Sequence, residues 1–107
     1  MQRGEVWWAT LASPISRRPV LLISRNAVYQ ARASVTIATI TRTVRGIATE
    51  VLLDEGDGMP TRCVVNLDDI FTVSKQVLRE YITILTPTKI AQVNRAILFA
   101  LDLDGSL

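Results

Sequence analysis

Up to Leu85 the apolar residues come in short alternating or continuous runs, and only beyond it do they recur at helical spacing. Gly4–Leu11 alternates as a strand, with one of Trp7 and Trp8 directed inward and its neighbour toward the other face. Ser and Pro punctuate Ala12–Ser16 as a turn, and Pro19–Ser24 follows as a buried strand. Asn26 is placed to cap a short helical turn over Ala27–Ala33, after which β-branched residues carry a strand from Val35 to Thr41. A Gly turn in Val44–Ile47 leads to a strand over Ala48–Leu53. Asp54–Pro60, two glycines and a proline among acids, is the clearest loop. Arg62–Leu67 and Asp69–Val73 read as two short strands separated by Asp68, Ser74–Leu78 as one helical turn, and Tyr81–Leu85 as the last strand. Thr86-Pro87 signals a helix start, and Ile90, Val93, Ile97, Ala100 and Leu101 define one apolar face. The pattern predicts five to seven short strands, one or two single-turn helices and a C-terminal amphipathic helix, a small twisted sheet or open barrel of the α+β class.

Composition narrows the function classes. The 107 residues have the length of one domain, residues 1–107, and 49% apolar content suffices for a modest core. The start of the sequence leaves no room for a secretory leader, and the apolar runs fall far short of the roughly 20 residues that span a bilayer. Cys63 is the single cysteine and there is no histidine, so neither an internal disulfide nor a Cys/His zinc set is expected, and reducing cytoplasm fits best. No metal or other cofactor is expected.

Charge is uneven. Residues 1–45 carry Arg3, Arg17, Arg18, Arg25, Arg32, Arg42 and Arg45 against Glu5 alone, a net +6, while the remainder carries −4. Ten of the twelve bases are arginine, whose planar fork grips a phosphate with two hydrogen bonds. That leans toward nucleic acid; the alternative is a set of solvated surface arginines.

Four segments, in order, resemble the MazF/PemK (Kid) toxins of bacterial toxin–antitoxin pairs: Arg3-Gly4-Glu5-Val6-Trp7, Arg18-Pro19-Val20-Leu21-Leu22-Ile23, Ile37–Thr41, and Val64-Val65-Asn66-Leu67-Asp68 followed by Thr72. The resemblance covers nearly the whole chain. It implies an SH3-like antiparallel barrel with appended helices, a homodimer, and sequence-selective cleavage of single-stranded RNA by a toxin that a cognate antitoxin holds inactive. The family's central arginine falls on Arg18 and its strand-end threonine on Thr41. An acid present in some members falls on Asp68, and the residue two before it, often basic there, is Asn66.

Such cleavage needs no metal: the RNA 2′-OH attacks the adjacent phosphorus and leaves 2′,3′-cyclic phosphate and 5′-OH ends. It requires a proton acceptor, a proton donor and positive charge at the phosphorane. Arg18 suits electrostatic stabilisation first and acid catalysis second, because its pKa is too high for easy proton transfer. Thr41 can position the phosphate or the 2′-OH. Asp68 is either the base or a carboxylate that orients Arg18 through a salt bridge. Arg17, Arg25, Arg42, Arg45, Asn66 and Asp69 are candidate RNA contacts, and Tyr29, Trp7 or Trp8 a stacking face for unpaired bases. Two features depart from the family: Leu11 to Arg18 is short and lacks an acid, and Cys63 stands where some relatives have serine. A gyrase-poisoning toxin of the same fold ends on Trp-Gly-Ile, whereas this sequence ends Asp102-Leu103-Asp104-Gly105-Ser106-Leu107. That class and a non-catalytic SH3-like binding module are the alternatives.

Overall fold

The computed structural model describes residues 1–14 and 16–103. The final four residues, to which the comparison with a gyrase-binding tail extends, and one position of the predicted Ala12–Ser16 turn lie outside the described residues. Among the described residues six strands form one antiparallel sheet: β1 (Glu5–Thr10), β2 (Arg17–Leu22), β3 (Ser34–Thr41), β4 (Glu50–Leu53), β5 (Cys63–Ser74) and β6 (Leu78–Ile84). Their order is β4-β5-β3-β2-β1-β6. A one-turn helix, α1 (Val28–Ala31), precedes β3, and a longer helix, α2 (Pro87–Ala100), closes the fold.

The sheet curls into a half-barrel. The turn after edge strand β4 reaches the opposite edge strand, where Thr83 Oγ1 donates to Asp57 O at 3.0 Å. Gly58 sits there with φ +91, and a Cβ at this position would strike the Thr83 hydroxyl, so backbone conformation and close approach both require glycine. Lys89 of α2 braces the same seam, donating from Nζ to Leu52 O at 2.6 Å. Thr86 caps α2 as its sequence indicates, accepting from Lys89 N, with Pro87 in the first turn.

Alternation gives the sheet two apolar faces. One, built on Leu21, Ala38, Ile40 and Val65, packs against Val93 and Ala96 of α2; the other, built on Val20, Leu22, Val35 and Ile37, packs against α1, Leu78 and Trp7. Trp7 and Trp8 part as expected. Trp7 donates to Glu5 Oε1 at 2.8 Å and meets Tyr81 edge-to-face at 6.1 Å, while Trp8 lies under the Arg17 guanidinium at 4.6 Å.

Several expectations are corrected. Arg62–Leu67 and Asp69–Val73 are not two strands but one, β5, interrupted by a bulge: Ala38 pairs with Ile70 and the next residue, Thr39, with Asn66. Leu67, Asp68 and Asp69 are thereby extra to the ladder. The last strand begins at Leu78 rather than Tyr81, and β4 at Glu50 rather than Ala48. Asn26 does not cap α1; its Oδ1 accepts from Arg3 N at 2.7 Å, a long-range contact that outweighs the local one. Leu101 ends the helix exposed rather than continuing its buried face. Tyr29 is buried beneath α1 and donates to Ser24 O at 2.9 Å, so it offers no stacking surface.

Burial pushes the Tyr29 phenol up to about 12 from its usual 10.0. The folded state holds this proton more tightly than the unfolded chain, so the associated stability is fully present below pH 10 and is lost as pH rises through 12. Between those limits the wild type is expected to lose roughly 2–3 kcal/mol that a Tyr29→Phe variant does not lose. Urea midpoints of both proteins at pH 9 and pH 12 check this; parallel losses would place the proton elsewhere.

Candidate active site and nucleic-acid interface

The ends of β2 and β3 bring the two leading residues together. The β2–β3 register pairs Val20 with Thr39 and Leu21 with Ala38; continued antiparallel, it sets Arg18 opposite Thr41. Both are half-buried and both line a recess of about 350 Å³ at this end of the sheet. Arg17 and Arg42, one position to either side, stand at its rim, so three guanidinium groups converge on a recess whose lining contains no carboxylate. Among the described residues Arg18 has no side-chain hydrogen-bond or ion-pair partner. Arg17 makes only an exposed pair with Glu80 at 3.2 Å. The Thr41 hydroxyl accepts from Thr43 N at 3.3 Å, which leaves its proton free to donate outward.

A second polar group sits beside the first on the same strands. Thr39 and Thr41 share one face of β3, about 7 Å apart along the strand. Asn66 pairs with Thr39 on one side and with Glu50 on the other. The β5 bulge turns two exposed carboxylates out of the ladder, and threonine hydroxyls fix both: Thr39 Oγ1 donates to Asp69 Oδ2 at 2.7 Å, and Thr49 Oγ1 to Asp68 Oδ2 at 2.6 Å. Asn66 Oδ1 accepts from Asp68 N at 3.0 Å. No ion pair joins Asp68 to Arg18 among the described residues; Thr49, not Arg18, orients that carboxylate. Arg45 lies near this group, its backbone N–H donating with that of Gly46 to Glu50 Oε1, both at 2.9 Å.

Arg25 is not part of the assembly. It lines a separate groove with Arg3 and Arg32, over Ile23, Val28 and Ile97. Neighbours in sequence have been separated by the β2–α1 turn. Sequence reasoning also missed the far wall of the recess, Met59 to Cys63, contributed by the approach to β5. No motif marks that segment; only the crossing of four strands brings it to Trp8. Burial raises the pKa of the Cys63 thiol, and the nearby Asp57 carboxylate adds to the shift, which keeps it protonated and unreactive. Among the described residues no group of three or more His, Cys, Asp or Glu side chains is arranged to hold a metal ion, and no helix is long and apolar enough to cross a membrane.

The profile of PemK-like, MazF-like toxins of type II toxin–antitoxin systems matches residues 2–101. A probable endoribonuclease MazF5 of Mycobacterium tuberculosis is 40% identical over 101 residues, 94% of this chain and 92% of its relative. Among solved structures, the Mycobacterium tuberculosis toxin MazF-mt6 superposes with a TM-score of 0.84 at 35% identity, covering 92% of this chain and 96% of that one. An endoribonuclease in complex with its cognate antitoxin, from a mycobacterial species, superposes with a TM-score of 0.86 at 32% identity, covering 96% of each chain. With a family match across nearly its full length, and with Arg18 and Thr41 facing each other across β2 and β3, the chain belongs to the PemK-like, MazF-like toxins of type II toxin–antitoxin systems.

Proposed function

We propose that this toxin is a sequence-selective endoribonuclease acting on single-stranded RNA, working in the cytoplasm as a homodimer and neutralised by a cognate antitoxin. The observation that carries the reading is the placement of Arg18 opposite Thr41 in a cationic recess that no carboxylate lines. A phosphodiester seated there gains most when its charge rises, which is the condition for stabilising a phosphorane.

The 2′-oxygen of the substrate bonds to phosphorus, its proton passes to a carboxylate, and the bond to the 5′-oxygen breaks as that oxygen takes up a proton. Ends with 2′,3′-cyclic phosphate and 5′-OH result. We assign charge stabilisation to Arg18, phosphate or 2′-OH positioning to Thr41, and proton acceptance to Asp68, whose Oδ2 Thr49 already orients. Arg17, Arg42 and Arg45 track neighbouring phosphates, while Asn66 and Asp69 reach unpaired base edges from the β5 bulge. An extended acidic antitoxin segment is complementary to the same arginine-rich surface and competes with RNA for it.

Purified, antitoxin-free protein incubated in EDTA with a mixed pool of single-stranded RNAs tests the reading by end-mapping. Cuts at one short sequence are expected, with the ends named above, and Thr41→Ala should slow them by about 10- to 100-fold, the range for losing one hydrogen bond to a charged group. Intact RNA from folded protein would overturn the proposal.

A further inference from the structure

Resting on the RNA-cleaving function proposed above, we infer that the recess beside Arg18 and Thr41 is a single-nucleobase pocket, with the Trp8–Arg17 stack as its wall and a preference for keto bases. Its floor runs across the sheet. Trp8 pairs with Pro19, Ile40 with Val65, and the continued β2–β3 register sets Pro19 against Ile40. Met59 and Cys63 close the far end. These residues are apolar and flat or deformable, as a base face requires, and about 350 Å³ admits one base beside the scissile phosphate but no duplex.

Two observations point to stacking. Trp8 is half-buried yet lines the recess, and its exposed ring surface is covered by the Arg17 guanidinium at 4.6 Å. Arg17 is held there by an exposed pair with Glu80, at 60% and 67% side-chain exposure, which anchors weakly. A base can therefore stack on the guanidinium plane backed by Trp8, a mode in which unpaired bases are commonly held. The polar rim then selects. Arg17, Arg18 and Arg42 offer only donors, and no carboxylate in the lining accepts an amino group. Uracil and guanine present keto oxygens to such a rim; the amino groups of cytosine and adenine face donors instead.

The test uses the Trp7→Phe protein, in which Trp8 is the one remaining tryptophan. Its probes are synthetic RNAs carrying the mapped cleavage sequence with a 2′-deoxy sugar at the cut nucleotide, which removes the attacking hydroxyl. All four bases are placed in turn at each position flanking the cut. At one position U or G should bind about tenfold more tightly than C or A and quench Trp8 saturably, a ratio within reach of one stacked base. In competition assays Trp8→Ala should abolish that ratio and Trp8→Phe restore it. An unchanged ratio in Trp8→Ala, or a preference for C or A, overturns the pocket while leaving RNA cleavage standing. Fully ribose RNA left uncut and unbound by the wild type overturns both.

Discussion

Replacing Arg18 with alanine is expected to slow RNA cleavage by about 10²–10³-fold, the loss that follows removal of one preorganised donor from a developing oxyanion. The size rests on its setting. Arg18 is half-buried at the start of β2, its guanidinium is paired with no carboxylate among the described residues, and the recess around it holds no negative charge. Its positive field is therefore spent on a phosphate rather than on an internal partner. For the same reason truncation strands no buried charge, and the urea midpoint should move by no more than about 0.5 kcal/mol. Arg18→Lys keeps the charge but loses the bidentate fork, and should recover only part of the rate. If Arg18 acts on the transition state, kcat and kcat/KM fall together; a rise in KM at unchanged kcat would demote it to a substrate anchor. Cleavage within threefold of wild type in the alanine variant would remove Arg18 from the mechanism.

How much of this was legible in the sequence differs from element to element. The strands and α2 follow from period-2 alternation and from the Thr86-Pro87 start, because these signals are local and nothing distant opposes them. Arg18 and Thr41 emerged from their order in a family pattern, since an arginine before a proline and a threonine at a strand end have no signature of their own. The β5 bulge was invisible. Leu67-Asp68-Asp69 reads as a break between strands, and only pairing with β3 shows a continuous strand that sheds two carboxylates toward Thr39 and Thr49. Charge counting overreached for a related reason. Seven arginines in the first 45 residues look like one surface, yet Arg3, Arg25 and Arg32 line one groove while Arg17, Arg18 and Arg42 line another. Sequence gives the number of arginines, and strand crossings decide which face each occupies.

Ile40→Ala should destabilise the fold by about 2–4 kcal/mol and also slow cleavage, because this residue joins the core to the catalytic strand end. Ile40 is 1% exposed, pairs with Val65 on β5, and belongs to the apolar cluster that α2 covers. Truncating a buried isoleucine removes its transfer free energy and leaves a cavity that a sheet fixed on both sides cannot collapse to fill. At fixed protein concentration the thermal midpoint should fall by roughly 10–15 °C. Ile40→Val, one methylene smaller, should cost about 1 kcal/mol. Ile47→Ala, at a 46%-exposed position, should stay within about 0.5 kcal/mol. The functional consequence follows from adjacency: Ile40 also lines the recess and precedes Thr41, so the void opens beneath the residue proposed to position the phosphate. Cleavage by Ile40→Ala, measured well below its midpoint so that folded protein dominates, should therefore drop, while Ile47→Ala cleaves at the wild-type rate. A destabilised Ile40→Ala protein that still cleaves at full rate would show that Thr41 takes its position from the β3 ladder alone, and a midpoint shift below 1 kcal/mol would show that the neighbouring side chains refill the site.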